Sequence, residues 1–285
     1  MDWSARRTRF REIFSGARCV HPGSVYDAIS ARAAEDIGFE TGMFAGSTGS
    51  LSVLGAPDLI VLTLTEFAAQ AMRINRAGNL PLIVDADHGY GNALNVQRTV
   101  EELETAGVAA LTIEDTYLPQ AFGEKGASLI TVGEGVGKMK AALAGRQDPK
   151  LVILGRTSAV AMTGVDDTIE RAKAYADVGV DGIMLVGVKS RAELEPVARV
   201  LDIPIMLGGI PQDMQDLDYL SDCGVRISLQ GHQPIAAAYK AMYDTLKALR
   251  DGVKPADLSG LPSAELTAQL TRAASYEVAQ DDFLN

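Results

Sequence analysis

Two aspartates one residue apart, Asp85 and Asp87, end an apolar run in the stretch PLIVDADHGYGNA, residues 81–93. If the run is a β-strand, alternate residues share a face, so Ile83, Asp85 and Asp87 point to one side. Two neighbouring carboxylates repel each other, and burial makes their ionisation more costly. A divalent cation removes both penalties, and oxygen ligands suit a hard ion, Mg²⁺ or Mn²⁺. The pair therefore predicts a metal site, against the alternative of a solvated loop aspartate beside a helix or turn cap.

Three further polar residues follow later apolar runs. Glu114 in LTIEDT shares a face with Thr112, whereas Asp115 points away and would cap a helix or bond locally. Arg156 lies near the end of VILGRT, where arginine could grip a carboxylate with two hydrogen bonds or form a structural ion pair. His232 ends ISLQGH, and a lone histidine is more often a structural hydrogen-bonding residue than a catalytic one. These residues would add a third carboxylate, a guanidinium and an imidazole to the acidic pair.

The elements that must position these residues alternate between apolar strands and amphipathic helices. Near-continuous apolar strands that alternate with helices predict a parallel sheet covered by helices. Eight such units in about 240 residues predict a closed (β/α)8 TIM barrel of the α/β class, rather than an open doubly wound sheet. The active sites of such barrels lie at the carboxyl ends of the strands, where the acids would converge. The predicted helices span about 25–37, 65–78, 95–106, 134–146, 166–178, 191–201, 213–222 and 233–250.

The pattern predicts one domain over residues 1–285, with the barrel at about 17–251. A helix at about 3–15 would precede the barrel, and a helical extension at about 252–285 would follow it. A terminal helix beyond a closed barrel needs another apolar surface to cover it. Packing on a second subunit is therefore a hypothesis that a measurement of molecular size tests.

Composition limits the partners of the chain. The formal net charge is −11 and no run rich in lysine and arginine occurs, so we expect neither nucleic acid nor an anionic membrane as a partner. The sequence contains no run of about 18 or more apolar residues, so we expect no membrane span. The first residues lack the apolar core of a signal peptide. Cys19 and Cys223 form no zinc or disulfide pattern. A cytoplasmic enzyme with a small substrate is the expectation.

Four segments in chain order, FAGSTGS, DADHGYG, TIEDT and GRT, carry a resemblance over nearly the whole barrel. The chain resembles the isocitrate lyase and phosphoenolpyruvate mutase superfamily, and within it the bacterial oxaloacetate decarboxylases. Ser47, Asp85, Arg156 and His232 support the closer likeness. The resemblance implies an enzyme that depends on Mg²⁺, with Mn²⁺ as a substitute, and acts on an α-keto dicarboxylate. It also implies a homotetramer, a dimer of dimers whose C-terminal helices are exchanged between subunits.

The resemblance implies a role for each acid of the metal site. Asp85 would lie closest to the ion, and Asp87 and Glu114 would hold metal-bound waters. Asp58 would join the same group of acids. Which of these carboxylates touch the metal directly stays open.

The resemblance also assigns the substrate contacts. Ser47 and the neighbouring backbone N–H groups, including that of Gly46, would bind the C1 carboxylate. Arg156 and His232 would contact the substrate oxygens. The product enolate would take a proton from water or from a nearby acid; Tyr90 and His232 are candidates, and the sequence does not choose between them.

The loop after the fourth strand departs from two branches of the superfamily. It reads YLPQAFGEKGASL and contains neither the cysteine of the lyase motif KxCGH nor the asparagine of the mutases. Decarboxylation of oxaloacetate to pyruvate and CO₂ needs no strong base, because positive charge stabilises the enolate that forms. The predicted reaction is therefore a decarboxylation. The alternatives are a carbon–carbon lyase acting on a substituted malate or isocitrate-type acid, a phosphonopyruvate hydrolase, and a non-catalytic keto-acid-binding protein.

Overall fold

The computed structural model describes residues 2–284 and divides into two compact units at the junction of Gly231 and His232. The first unit contains every strand described, and the second contains only helices and turns. The predicted single domain, with a barrel at 17–251 and an extension at 252–285, stays a prediction.

The strands and helices alternate through the first unit. The strands are β1 (Gly23–Ser24), β2 (Gly42–Phe44), β3 (Leu82–Asp85), β4 (Ala110–Glu114), β5 (Val152–Thr157), β6 (Gly182–Leu185), β7 (Ile205–Leu207) and β8 (Val225–Ser228). The helices of this unit are α1 (Ser4–Phe14), α2 (Ala28–Ile37), α3 (Gly46–Gly49), α4 (Leu64–Ala77), α5 (Ala93–Thr105), α6 (Val132–Gly145), α7 (Ala159–Met162), α8 (Val165–Val178), α9 (Arg191–Ala198) and α10 (Leu217–Asp222). The helices of the second unit are α11 (Gln233–Arg250), α12 (Ala264–Thr271) and α13 (Ala273–Leu284).

The eight strands form one parallel sheet in chain order. Val20 closes the sheet onto β8, because its N–H donates to the Arg226 carbonyl at 2.9 Å and its carbonyl accepts from the Ser228 N–H at 3.1 Å. The predicted (β/α)8 barrel is confirmed. The first of the eight strands predicted from the sequence, ARCVHPG at residues 17–23, contributes this bridge and Gly23, where the ladder with β2 begins.

The strand residues pack into two layers, as alternation requires. One face of each strand points into the barrel, where Ile83, Leu154 and Met206 are fully buried. Phe10 and Phe14 of α1 join this interior cluster with their rings stacked 5.6 Å apart. Two side chains of the predicted N-terminal helix therefore pack into the barrel interior. The opposite faces of the strands pack against the surrounding helices.

Two predicted helices are divided in the structure. The stretch predicted at 213–222 is a 3₁₀ turn at Gln212–Met214 followed by α10. The last predicted helix is two helices, because Arg272 adopts a left-handed backbone with φ of 61° between α12 and α13. Within residues 2–284, no helix has the length and apolar character needed to cross a membrane.

Candidate active site

Strand register brings three of the predicted charged residues to one edge of the barrel. Asp85 ends β3 and pairs in register with Thr112 of β4. Glu114 ends β4 and lies directly opposite Arg156 of β5. Since parallel strands end at the same edge, these side chains meet at the carboxyl end of the barrel.

The Arg156 guanidinium bridges two of the acids. Its Nη1 donates to Asp85 Oδ2 in a close contact, and its Nη2 lies 3.2 Å from Glu114 Oε2. Two hydroxyls complete the arrangement: Thr112 donates to Asp85 Oδ1 at 3.0 Å, and Thr116 donates to Glu114 Oε2 at 2.9 Å. Both carboxylates are therefore oriented by charge and by hydrogen bonds before any ligand binds.

A turn, and not the predicted strand alternation, places Asp87 at the site. β3 ends at Asp85, so strand alternation does not extend to Asp87, and the expectation that it continues the Ile83–Asp85 face is wrong. Asp87 instead adopts a left-handed backbone with φ of 47° in the turn that follows. Its N–H donates to Asp85 Oδ1 at 3.2 Å, and its carbonyl accepts from the Glu114 N–H at 2.9 Å.

The short helix α3 lies against Asp87. A Cβ atom placed on Gly46 would lie 2.6 Å from Asp87 Oδ1, which is inside the contact distance of the two atoms. Only glycine therefore fits at position 46 while the carboxylate keeps its place. Ser47 follows in the same first turn and is half-buried, and the first N–H groups of a helix have no acceptor within it.

A cavity of about 200 Å³ opens at this edge of the barrel. Four of the predicted acids and the predicted arginine line it: Asp58, Asp85, Asp87, Glu114 and Arg156. Leu118 and Gln120, from the loop after β4, line the same cavity.

The two candidate proton donors lie in different units of the chain. The Tyr90 hydroxyl is buried and has no hydrogen-bond partner within residues 2–284. Burial, and then the nearby Asp87 and Asp85 carboxylates, raise the pKa of Tyr90. His232 is the first residue of the second unit, and its role at the barrel edge stays a prediction.

The acids have a surplus of negative charge. Burial raises the pKa of Asp87 well above its ordinary value, and the Asp85 and Glu114 carboxylates raise it further. Burial also raises the pKa of Glu114, although Arg156 opposes this change. Burial by itself would lower the pKa of Arg156, but Asp85 and Glu114 together raise it. One guanidinium therefore does not neutralise the group of acids.

The acids fit a hard dication that is held partly through water. Within residues 2–284, no three histidine, cysteine, aspartate or glutamate side chains already surround one point as ligands. The donors are nonetheless all oxygens, and Asp87 is buried with too little positive charge around it. Mg²⁺ usually keeps several waters and binds through one or two carboxylates. The residues present therefore fit such an ion.

We expect the metal-free protein to lose stability as the pH rises. The folded pKa of Asp87 is above its unfolded value, so the folded state binds more protons between the two values. The stabilisation is full below the unfolded pKa and is lost as the pH rises through the folded one. Thermal unfolding in EDTA from about pH 4 to about pH 8 measures this loss. Asp87→Asn should flatten the dependence, and identical pH profiles for both proteins would contradict the expectation.

The sequence did not identify the residues that hold the turn after β3. The Lys138 ammonium is buried and donates to the His88 carbonyl at 2.8 Å. The Thr99 hydroxyl donates to the Gly89 carbonyl at 3.0 Å. A lysine in an amphipathic helix is usually a surface residue, so no sequence signal distinguished Lys138 from Lys140.

A closed parallel barrel, with acids and an arginine lining a cavity at the carboxyl ends of its strands, defines this chain as a TIM-barrel enzyme. The sequence profile of the phosphoenolpyruvate phosphomutase family matches residues 10–250. The chain belongs to that family, and the predicted superfamily is confirmed.

Individual relatives match the chain over 98–100% of its length. An oxaloacetate decarboxylase of Bradyrhizobium diazoefficiens is 60% identical over 284 residues, which cover 100% of this chain and 99% of the relative. The structure of oxaloacetate acetylhydrolase in complex with the inhibitor 3,3-difluorooxalacetate matches with a TM-score of 0.85 and 28% identity, covering 98% of this chain and 97% of that one. Phosphonopyruvate hydrolase in complex with oxalate and Mg²⁺ matches with a TM-score of 0.84 and 26% identity, covering 98% and 99%.

Proposed function

We propose that the enzyme decarboxylates oxaloacetate to pyruvate and CO₂ with Mg²⁺ bound among its acids. The observation that carries this proposal is the cavity in which Arg156 bridges Asp85 and Glu114, and in which the buried Asp87 lies among further carboxylates. The similarity to a decarboxylase at 60% identity over the full length supports the choice of substrate. Manganese would substitute for magnesium, because both ions accept oxygen ligands.

Four carboxylates would hold the ion. Asp85 would lie closest to it, and Asp87, Glu114 and Asp58 would contact it through water, which accords with their shared cavity. When bound, Mg²⁺ would polarise the α-keto acid as a Lewis acid. Arg156, which pairs with Asp85, would then share that carboxylate with the ion.

Substrate orientation would come from two sides of the cavity. Ser47 and the N–H group of Gly46 would bind the C1 carboxylate at the start of α3. Arg156, with His232, would contact the remaining oxygens. As the C3–C4 bond breaks, the C4 carboxylate would leave as CO₂. The electron pair of that bond would form the C2–C3 double bond of the enolate, and the carbonyl pair would pass to the C2 oxygen. The fixed charge of Arg156 stabilises that developing charge more than it stabilises the substrate.

The enolate then accepts a proton at C3. Tyr90 is one candidate donor, because its raised pKa keeps the hydroxyl protonated and no hydrogen bond within residues 2–284 occupies it. His232 is the other. The overall reaction consumes one proton and releases one pyruvate and one CO₂.

The loop after β4 supports decarboxylation over carbon–carbon cleavage. Leu118 and Gln120 are its residues in the cavity, and neither side chain exchanges protons near neutral pH. A lyase acting on a substituted malate needs an acid or base at the bond that it cleaves. Decarboxylation has no such requirement.

A product assay with a panel of C4 and C5 keto and hydroxy acids tests the proposal. We expect pyruvate and CO₂ in equal amounts from oxaloacetate with Mg²⁺, and loss of this activity in excess EDTA. Glyoxylate release from a substituted malate would indicate the lyase, phosphate release from phosphonopyruvate the hydrolase, and binding without turnover a keto-acid-binding protein. Full turnover in EDTA would refute the metal role.

We also propose a homotetramer of two dimers that exchange C-terminal helices. The second unit exposes many large apolar side chains, which water disfavours in a patch. Examples are Tyr243 and Leu246 in α11, and Tyr276, Val278 and Phe283 in α13. Light scattering on the purified protein should give the tetramer mass, and a monomer would overturn this proposal. A cytoplasmic location stays a prediction, as does the absence of nucleic-acid and membrane partners.

A further inference from the structure

The turn after β3 has an unusual backbone. Asp87 and Tyr90 have φ of 47° and 58°, and Gly89 between them has φ of 79°. Left-handed backbone is unfavourable for residues with a Cβ atom, and it persists only where the surrounding structure imposes it. Something outside the turn must therefore hold Asp87 in the conformation that places its side chain in the cavity.

Three successive carbonyls of the turn accept hydrogen bonds from three different elements. The Asp87 carbonyl accepts from the Glu114 N–H of β4 at 2.9 Å. The His88 carbonyl accepts from Lys138 Nζ of α6 at 2.8 Å, and the Gly89 carbonyl accepts from Thr99 Oγ1 of α5 at 3.0 Å. Each peptide plane after Asp87 is thus oriented by a donor that the turn itself does not supply.

Lys138 is a charged donor, although a neutral donor would satisfy the His88 carbonyl equally well. Its side chain is 3% exposed, and lysine is rarely buried to this extent because an ammonium loses hydration there. Thr99 performs the same task on the next carbonyl with a neutral hydroxyl. The charge of Lys138 is attracted by Glu134 of its own helix, by Glu114 at the end of β4 and by Asp115 directly after it.

We propose that Lys138, supported by Thr99, is a positioning residue that holds the turn in its left-handed form and so directs the Asp87 carboxylate toward the cation site. This inference rests on the proposed metal role of Asp87. Lys138 contacts the backbone of His88, next to Asp87, so it would act on the ion by orienting the Asp87 carboxylate and not by touching the ion. Residues that orient a ligand in this way typically change metal affinity 10- to 100-fold when they are removed.

The test measures Mn²⁺ binding to the full-length protein directly, by calorimetry in the absence of substrate. Lys138→Met keeps the length of the side chain and removes the donor and the charge. We expect its Mn²⁺ affinity to fall about 10- to 100-fold. Lys140→Met is the matched control, because Lys140 is exposed on the same helix, and it should bind as the wild type does. Lys138→Arg keeps the charge and should recover part of the affinity.

The outcomes separate a positioning role from a structural one. If Lys138→Met lowers the Tm but binds Mn²⁺ with wild-type affinity, the proposal is overturned. If Lys138→Met does not fold, Thr99→Val decides, since this nearly isosteric change removes only the neighbouring hydrogen bond: weaker binding supports the proposal and unchanged binding overturns it. If the wild type itself binds no Mn²⁺, the proposed metal function fails, and Lys138 has no cation site to position.

Discussion

Replacing Asp85 with alanine should lower kcat/KM for oxaloacetate by on the order of 10²–10³ and should weaken Mg²⁺ binding. Asp85 is the acid that receives hydrogen bonds from Thr112 and from the Asp87 N–H while it also contacts Arg156. Its removal therefore deletes the proposed nearest metal ligand and releases the guanidinium from one of its two anchors. Steady-state kinetics over a range of Mg²⁺ concentrations measures both effects.

Two further variants make this result specific. Asp85→Asn keeps the shape and a hydrogen-bond acceptor but loses the charge, so it should bind Mg²⁺ nearly as poorly as the alanine variant. Asp177→Ala removes an exposed aspartate from α8 and should behave as the wild type. An Asp85→Ala enzyme with normal turnover and normal Mg²⁺ dependence would exclude Asp85 from the site.

The second large effect is expected for Arg156→Ala, which should raise the KM for oxaloacetate and lower kcat, with kcat/KM falling on the order of 10²–10³. The guanidinium lies at the point where we propose that charge develops on the substrate. The variant should also lose stability without metal, because breaking a buried ion pair typically costs about 3–5 kcal/mol. The Asp85 and Glu114 carboxylates would then repel each other with no cation between them.

The stability effect provides an internal check on the kinetic one. Added Mg²⁺ should raise the Tm of Arg156→Ala more than that of the wild type, because the ion replaces the missing charge. Arg156→Lys should fall between the two, since a single ammonium cannot bridge both carboxylates as a planar guanidinium does. Arg199→Ala, at an exposed position, is the control. An unchanged kcat/KM in Arg156→Ala would remove this residue from the proposed mechanism.

Part of the site was predictable because the rules behind it are local. Strand alternation predicted that Thr112 and Glu114 share one face, and that Asp85 and Arg156 lie at the barrel edge. All four residues lie within strands, where a period of two applies. Asp87 lies one residue beyond Ala86, outside β3, and there the rule failed although the carboxylate still reached the cavity.

The sequence by itself determined the eight strands, the parallel barrel and the gathering of acids with an arginine at one edge. These features follow from apolar periodicities that each segment carries alone. The tertiary structure decided the pairing of Glu114 with Arg156, the left-handed turn at Asp87 and the burial of Lys138. Each of these depends on a donor or a partner that is distant along the chain, and a local sequence pattern does not predict which distant residue that partner will be.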